Sequence, residues 1–317
     1  MSRLGIAGGI IQVLVITAGA PLLTGVMRQV RARLEGRAGP GIGQPWRDLR
    51  KLLRKEPVTP DGTSELFRIA PLVLLATTVT VAGVAPFVTD ASAIGPAADL
   101  FAVVALLAMG TATLALAAID TGTAFGGMGA SREMTIMALV EPTLLMSVFA
   151  LSVPAGSTNL SAIVTATVHD PVRVVSPAGL LAAIALALVT VAETGRLPVD
   201  NPATHLELTM VHEAMILEYS GPDLALIELA SAMRLAVFLG LLVTLFTPWG
   251  IATAAAPLAL AIGTAAFAAK VAAAGAALAA GEVFMAKLRL FRIPELLAGS
   301  FLLALLAVAA SVFLGVA

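Results

Sequence analysis

The stretch Ala192–Gly221, AETGRLPVDNPATHLELTMVHEAMILEYSG, decides how this chain is read. It carries the acids Glu193, Asp200, Glu207, Glu213 and Glu218, the single arginine Arg196, and His205 and His212, two of the chain's three histidines. Long apolar runs flank it on both sides. Polar groups near lipid cost free energy unless they face water, protein or each other. A charged segment in such company must therefore be a loop at a membrane surface, and it is the first place to look for function.

Composition supports that frame. Of 317 residues, 59% are hydrophobic and only 12% charged, with a mean hydropathy of +0.97. A soluble domain carries about 25% charged residues, so the chain reads as an all-α, polytopic integral membrane bundle forming one domain over residues 1–317. A net charge of −1 provides no basic surplus for nucleic acid. With no cysteine, the chain supplies no disulfide, no thiolate nucleophile and no iron–sulfur ligand set. Any redox centre is expected in a partner.

A spanning helix needs about 20 mainly apolar residues. Eight segments qualify, at 4–27, 66–88, 98–119, 134–153, 177–193, 226–247, 251–280 and 294–316, the fifth being the shortest. The first is too long for a signal-peptide core and is read as a retained span. Orientation follows from the basic residues. Ten of the nineteen fall in Arg28–Arg68, and alternation puts them on the same side as Arg132, Arg196, Lys287, Arg289 and Arg292. The other side keeps Arg3 and Arg173. Both termini are expected outside a prokaryotic cytoplasmic membrane, with the loops at about 28–65 and 194–225 in the cytoplasm.

In the first loop, RAGPGIGQPWRDLRKLLRKEP (37–57), Gly39 and Pro40 break any helix entering from the first span. From Pro45 the period is helical. Trp46, Leu49, Leu52 and Leu53 share one side, while Arg47, Asp48, Arg50, Lys51, Arg54 and Lys55 fill the other. The pattern fits a helix in the headgroup plane, either a basic loop that sets topology or a docking platform for a soluble partner.

In the second loop, Pro198 and Pro202 argue against regular helix over 194–203. Thr204 with Glu207 forms a capping-box pattern for a helix reaching about Tyr219. His205 and His212 lie two turns apart, about 10.5 Å along such a helix, which is too far to share one metal. Neither the zinc-protease spacing nor a Gly-x-Ser-x-Gly elbow occurs. No metal ligand and no catalytic residue is assigned. Glu193 and Arg196, three apart at a span's end, are expected to pair.

Within the spans, Glu141, Arg234 and Lys270 fall at comparable depth, with Glu228 nearer the cytoplasm and Glu282 at a boundary. Glu141 is the expected partner of Arg234 or Lys270. Intramembrane ionisable groups cost about 2.5–3.5 kcal/mol each on insertion scales. They therefore form either a static ion pair or part of a proton path, here Glu141, Glu228, Arg234 and Lys270.

Three motifs, GRAGPGIGQPWRDLRKLLRKE, SREMTIMALVEP (131–142) and the 192–221 stretch, together resemble the formate hydrogenlyase subunit 4 and hydrogenase-4 component C family, itself similar to membrane subunit 1 of respiratory complex I. The resemblance runs nearly the whole length. It implies a non-catalytic anchor of a group 4 [NiFe]-hydrogenase complex that binds no cofactor itself. The [NiFe] centre and iron–sulfur clusters would belong to partner proteins. The implied partners are the small and large subunits of the hydrogenase, antiporter-like membrane subunits and the bilayer, with no nucleic acid. The resemblance also implies docking and coupling residues: Gly39, Pro40, Gln44, Asp48, Lys51, Lys55, Glu56, Glu193, Arg196, Asp200, Glu207, Glu218 and Tyr219, to which His205, His212 and Glu213 of the same polar loop are added as candidates.

Ala203 and His205 replace positions usually acidic in the complex I loop, and three additional residues precede Glu218-Tyr219-Ser220-Gly221. These departures point away from a quinone chamber. The quinone-chamber membrane subunit of NADH-quinone oxidoreductase (complex I) is the alternative reading. A stand-alone transporter would be expected to show inverted repeats and paired broken helices, which the sequence lacks.

Overall fold

The chain's structure is a computed structural model that describes residues 3–90, 92, 94–200, 210–254, 256–286, 288–289 and 292–314. In chain order its helices begin with α1 (Arg3–Leu34), the short α2 (Gln44–Leu52), α3 (Glu65–Val84), α4 (Leu100–Asp120) and α5 (Ala124–Ala155). Three shorter helices follow, α6 (Leu160–His169), α7 (Val172–Val175) and α8 (Pro177–Glu193). Then come α9 (His212–Ile216), α10 (Gly221–Phe246), α11 (Pro257–Phe284) and α12 (Ile293–Leu314). Among the described residues seven helices are long and apolar enough to cross a membrane. The eighth expected span, α8, has 17 residues, a length of about 25 Å, short of the roughly 30 Å hydrocarbon core.

The helix starts are written locally. Side chains of Ser64, Asp99, Thr123, Asn159 and Ser176 accept hydrogen bonds from first-turn amides, satisfying donors that lipid could not. The end of α3 is handled differently. Pro86 stops the helix, and Gln12 of α1 donates to the carbonyls of Gly83 (3.0 Å) and Ala85 (2.7 Å). The span expected to reach residue 88 thus ends at Val84, and the chain turns back, bridging Thr89 to Ala252. The helix α6 has no counterpart among the expected spans, because ten residues are too few to register as one.

Helix α10 is the most enclosed span and packs against α1, α2, α3, α8 and α11. On the opposite side, α12 packs on α5 and α8. The loop rich in basic residues and the described residues 194–200 and 210–220 meet at one end of this bundle, here termed the basic end. There α2 forms as its spacing predicts, with Pro45 and Leu49 buried. In the helix expected over the second loop, Met210 and Val211 are not helical. Thr204, His205 and Glu207 lie outside the described residues, and the described helix runs only over His212–Ile216.

Candidate functional site

At the basic end a cavity of about 570 Å³ lies between α1, α2, α8, α9 and α10. Its lining combines apolar residues, Pro21, Met27, Pro45, Leu49 and Leu52, with ionisable ones, Arg28, Arg31, Asp48, Glu193, Arg196, Asp200, His212, Glu213, Glu228 and Arg234.

Its inner wall is a buried ion pair. Arg234 of α10 donates to Glu193 Oε2 at 2.6 Å and to the Leu107 carbonyl at 2.9 Å. Their side chains are 7% and 8% exposed. Gly110 of α4 makes the room, since a Cβ there would come within 2.7 Å of Thr77 Oγ1 and 3.4 Å of Arg234. These pairings differ from the expected ones. Arg234 pairs with Glu193 rather than Glu141, and Glu193 consequently does not pair with Arg196. Lys270 instead donates to the carbonyls of Thr247 (2.7 Å) and Trp249 (2.8 Å), at the end of α10 away from the cavity.

Arg196 turns to Glu282 of α11, 3.8 Å away. The Glu282 side chain is 1% exposed and also binds Arg31 of α1. One carboxylate thus ties α1, α11 and the second loop together. Burial, and then the nearby Arg31 and Arg28, pull the Arg196 guanidinium down to about 10, still protonated at neutral pH. In the sequence Glu282 stands out only as a boundary charge and Arg31 only as a topology determinant. The available signal is an acid inside the Ala-rich α11.

Asp200 shapes the second loop. Its Oδ2 accepts from the amides of Val211 (3.3 Å) and His212 (3.2 Å). Arg132 reaches the Met210 carbonyl at 2.9 Å, and Gly129 lets α9 approach α5, since a Cβ there would lie 2.9 Å from Ala214 Cβ. The 131–142 motif is thus partly a seat for α9. His212 Nε2 lies 3.3 Å from Ser231 Oγ. Burial pushes the His212 imidazole below its usual value, with Asp200 opposing and Arg234 reinforcing the shift. A lowered folded-state value makes the neutral form contribute stability above about pH 6.5, lost as pH falls from there through the folded-state value. Thermal stability is therefore expected to drop on acidification below about pH 6.5, and less so for His212→Gln. An identical pH profile in that variant contradicts this.

The remaining loop residues build the rim. Gly39 adopts φ +78°, and a Cβ there would lie 2.6 Å from Gln29 Oε1. Gln44 donates to Asp48 at 2.7 Å, and Lys51, Lys55 and Glu56 are exposed. The Glu218–Gly221 motif forms a clasp on the first loop. Ser220 Oγ accepts from the Val58 amide (2.8 Å) and donates to its carbonyl (3.2 Å). The buried Tyr219 stacks on Phe67 at 4.0 Å and donates to the Phe67 carbonyl at 2.9 Å. Burial, then Asp223 and Asp120, hold the Tyr219 phenol above its usual range. Glu141, Lys270 and Tyr219 do not line the cavity. Ser220→Ala is expected to cost about 1 kcal/mol, read as a small fall in unfolding temperature; an unchanged temperature argues against the clasp.

Two motifs that lie far apart in the sequence thus meet around one cavity and one clasp, while the third, at 131–142, reaches the second loop through Arg132. The NADH dehydrogenase family profile matches residues 8–313. The chain belongs to that family. Formate hydrogenlyase subunit 4 of Escherichia coli K12 is 38% identical over 76% of this chain and 77% of its own length. Hydrogenase-4 component C of the same organism is 36% identical over 75% and 74%. One chain in the structure of the membrane-bound sulfane sulfur reductase, an archaeal respiratory membrane complex, superposes with a TM-score of 0.83. The match covers 96% of this chain and 98% of that one at 20% identity, a likeness of fold. The family member described here is thus a multi-pass helical membrane protein whose homologues are subunits of multi-subunit respiratory complexes.

Proposed function

We propose that this chain is the membrane-anchor and coupling subunit of a complex-I-related group 4 [NiFe]-hydrogenase of the formate hydrogenlyase type. It docks the soluble hydrogenase module at the basic end, through the 194–220 loop and the arm that follows α2. It contributes no catalytic residue. The [NiFe] centre and iron–sulfur clusters belong to the soluble subunits, and antiporter-like subunits complete the membrane arm. The observation that carries this reading is the site itself. The described parts of the first-loop and second-loop motifs that resemble the hydrogenase family meet in one clasped surface beside a charged cavity whose inner wall reaches the most enclosed of the described spans. A redox event at that surface has a direct electrostatic route to the Glu193–Arg234 pair.

In this reading the basic end is cytoplasmic. The coupling path runs from Glu193 through Glu228 and Arg234 to Glu141, and Glu207, outside the described residues, is assigned to it from the sequence alone. Affinity purification from native membranes tests the assignment. A cysteine-bearing soluble small subunit and a [NiFe] large subunit are expected to co-purify, and recovery as a solitary active carrier contradicts it. Glu141→Gln is expected to leave assembly intact while weakening proton movement coupled to hydrogen turnover. Normal coupling in that variant removes Glu141 from the path.

One observation supports a second reading, a quinone-chamber subunit of complex I. The cavity volume falls within the roughly 300–1,000 Å³ typical of small-molecule sites, and Pro21, Met27, Pro45, Leu49 and Leu52 give it apolar lining beside its charged groups. Quinone-dependent turnover by the purified complex, protected by a cavity-directed inhibitor, favours that reading over the first.

A further inference from the structure

The outward face of α2 has no use in the cavity or the clasp. Successive residues turn by about 100°, so Trp46, Leu49, Leu52 and Leu53 occupy one sector of about 120°. Arg47, Arg50, Lys51 and Arg54 occupy an opposing sector of about 100°. The middle of the apolar sector faces this chain's own bundle, while Trp46 and Leu53 stay exposed. Leu49 is 7% exposed, Leu49 and Leu52 line the cavity, and α2 packs on α1 and α10. All four basic side chains on the other sector are exposed. Arg47 donates to Gln44 within the helix. Among the described residues no acidic side chain pairs with Arg50, Lys51 or Arg54.

The height of α2 against the bundle is fixed by three contacts with α1. Asp48 pairs with Arg28 at 3.7 Å. A Cβ at Gly25 would overlap the Ile42 carbonyl. The Trp46 indole donates to the Ala18 carbonyl at 3.1 Å. The apolar run of α1 ends at Met27, and charge begins at Arg28. The helix α2 therefore lies where hydrocarbon gives way to headgroups, with a half-exposed tryptophan on the deep side, as interfacial aromatics prefer. A row of cations at that level meets phosphate before it meets a soluble protein.

We infer that the face of α2 formed by Arg47, Arg50, Lys51 and Arg54 is a binding surface for anionic phospholipid headgroups, which enriches such lipids beside the mouth of the cavity. Docking of the soluble module is left to the second loop and the arm beyond α2.

The chain's two tryptophans provide the reporter, because Trp46 sits on α2 and Trp249 at the opposite end of the bundle. The full chain carrying Trp249→Phe is placed in phosphatidylcholine nanodiscs containing a minor fraction of tail-brominated lipid. Brominated phosphatidylglycerol is expected to quench Trp46 about twofold or more beyond the same fraction of brominated phosphatidylcholine. The excess should fall as salt rises past about 0.1 M, where the screening length is about 10 Å. It should also vanish in the R47Q/R50Q/K51Q/R54Q variant. The buried contacts of Pro45, Leu49 and Trp46 are untouched there, and the unmodified chain's salt response does not depend on that variant folding. Equal quenching by the two lipids overturns the proposal, as does an excess insensitive to salt. Loss of the excess on adding millimolar inorganic phosphate assigns the surface to free phosphate instead. Release of the soluble subunits by the quadruple variant without any lipid preference assigns it to protein docking.

Discussion

Arg234→Met is expected to lower stability by about 3–5 kcal/mol, the cost of removing one partner from a buried ion pair. Methionine fills the guanidinium's volume but leaves Glu193, 8% exposed, without its 2.6 Å donor and the Leu107 carbonyl without its 2.9 Å one. A typical domain is stable by only about 5–15 kcal/mol, so most of the variant is expected to be lost to aggregation on extraction or to unfold well below the parent. The compensated pair Arg234→Met with Glu193→Met should recover much of the loss, because exchanging a buried pair for apolar groups is often close to neutral. Thermal unfolding in detergent of the parent, the single variant and the double variant reads this directly. A double variant no more stable than Arg234→Met shows that the loss comes from packing and not from the orphaned carboxylate.

Gly221→Ala carries the second large effect. Gly221 adopts φ +56°, a left-handed conformation that costs an L-residue about 1–2 kcal/mol. A Cβ there would lie 2.9 Å from the Glu56 carbonyl oxygen and 3.1 Å from that of Lys55. These are backbone atoms, so relief requires the first-loop arm to move off. The Ser220 bonds to Val58 depend on the same approach. The expected result is an opened clasp in a still-folded bundle, with trypsin cutting after Arg54 and Lys55 at least tenfold faster, since about 1.4 kcal/mol is a factor of ten. Unchanged proteolysis at those sites means the clasp does not set the arm's position.

The bundle is legible in the sequence because its signals are local. Twenty-odd apolar residues, a Pro–Gly break and capping side chains each act within a few positions, and all eight expected spans correspond to helices. The helix α2 is legible for the same reason, since Trp46, Leu49 and Leu52 repeat with its turn. The site is legible as a neighbourhood but not as a set of pairs. Glu193 and Arg196 are close in sequence, yet each finds a partner far along the chain, in Arg234 and Glu282. Spacing along one helix cannot reveal a carboxylate delivered by another. Depth along the span misleads similarly for Lys270, whose flexible stem carries its ammonium to carbonyls at a helix end, where desolvation is cheaper. The clasp is hidden because a serine hydroxyl joining backbone groups 162 residues away leaves no periodic trace.

Lys270, placed in the candidate proton path by its depth, lies away from the cavity, while Arg31 and Glu282 join the residues that hold the cavity in shape. The proposed path is therefore reduced to Glu193, Arg234, Glu228 and Glu141, with Glu193 as the proposed point where a surface event meets the membrane-embedded charge.

The clasped surface of the basic end is the proposed docking site of a soluble hydrogenase module. Photo-cross-linking from Glu56 and Glu218, one on each side of the clasp, tests it most directly. With a photoreactive residue at either position in the native complex, the account predicts covalent capture of a cysteine-bearing soluble small subunit, identified by mass spectrometry. Cross-links to lipid or to other membrane subunits alone, from both positions, would contradict it.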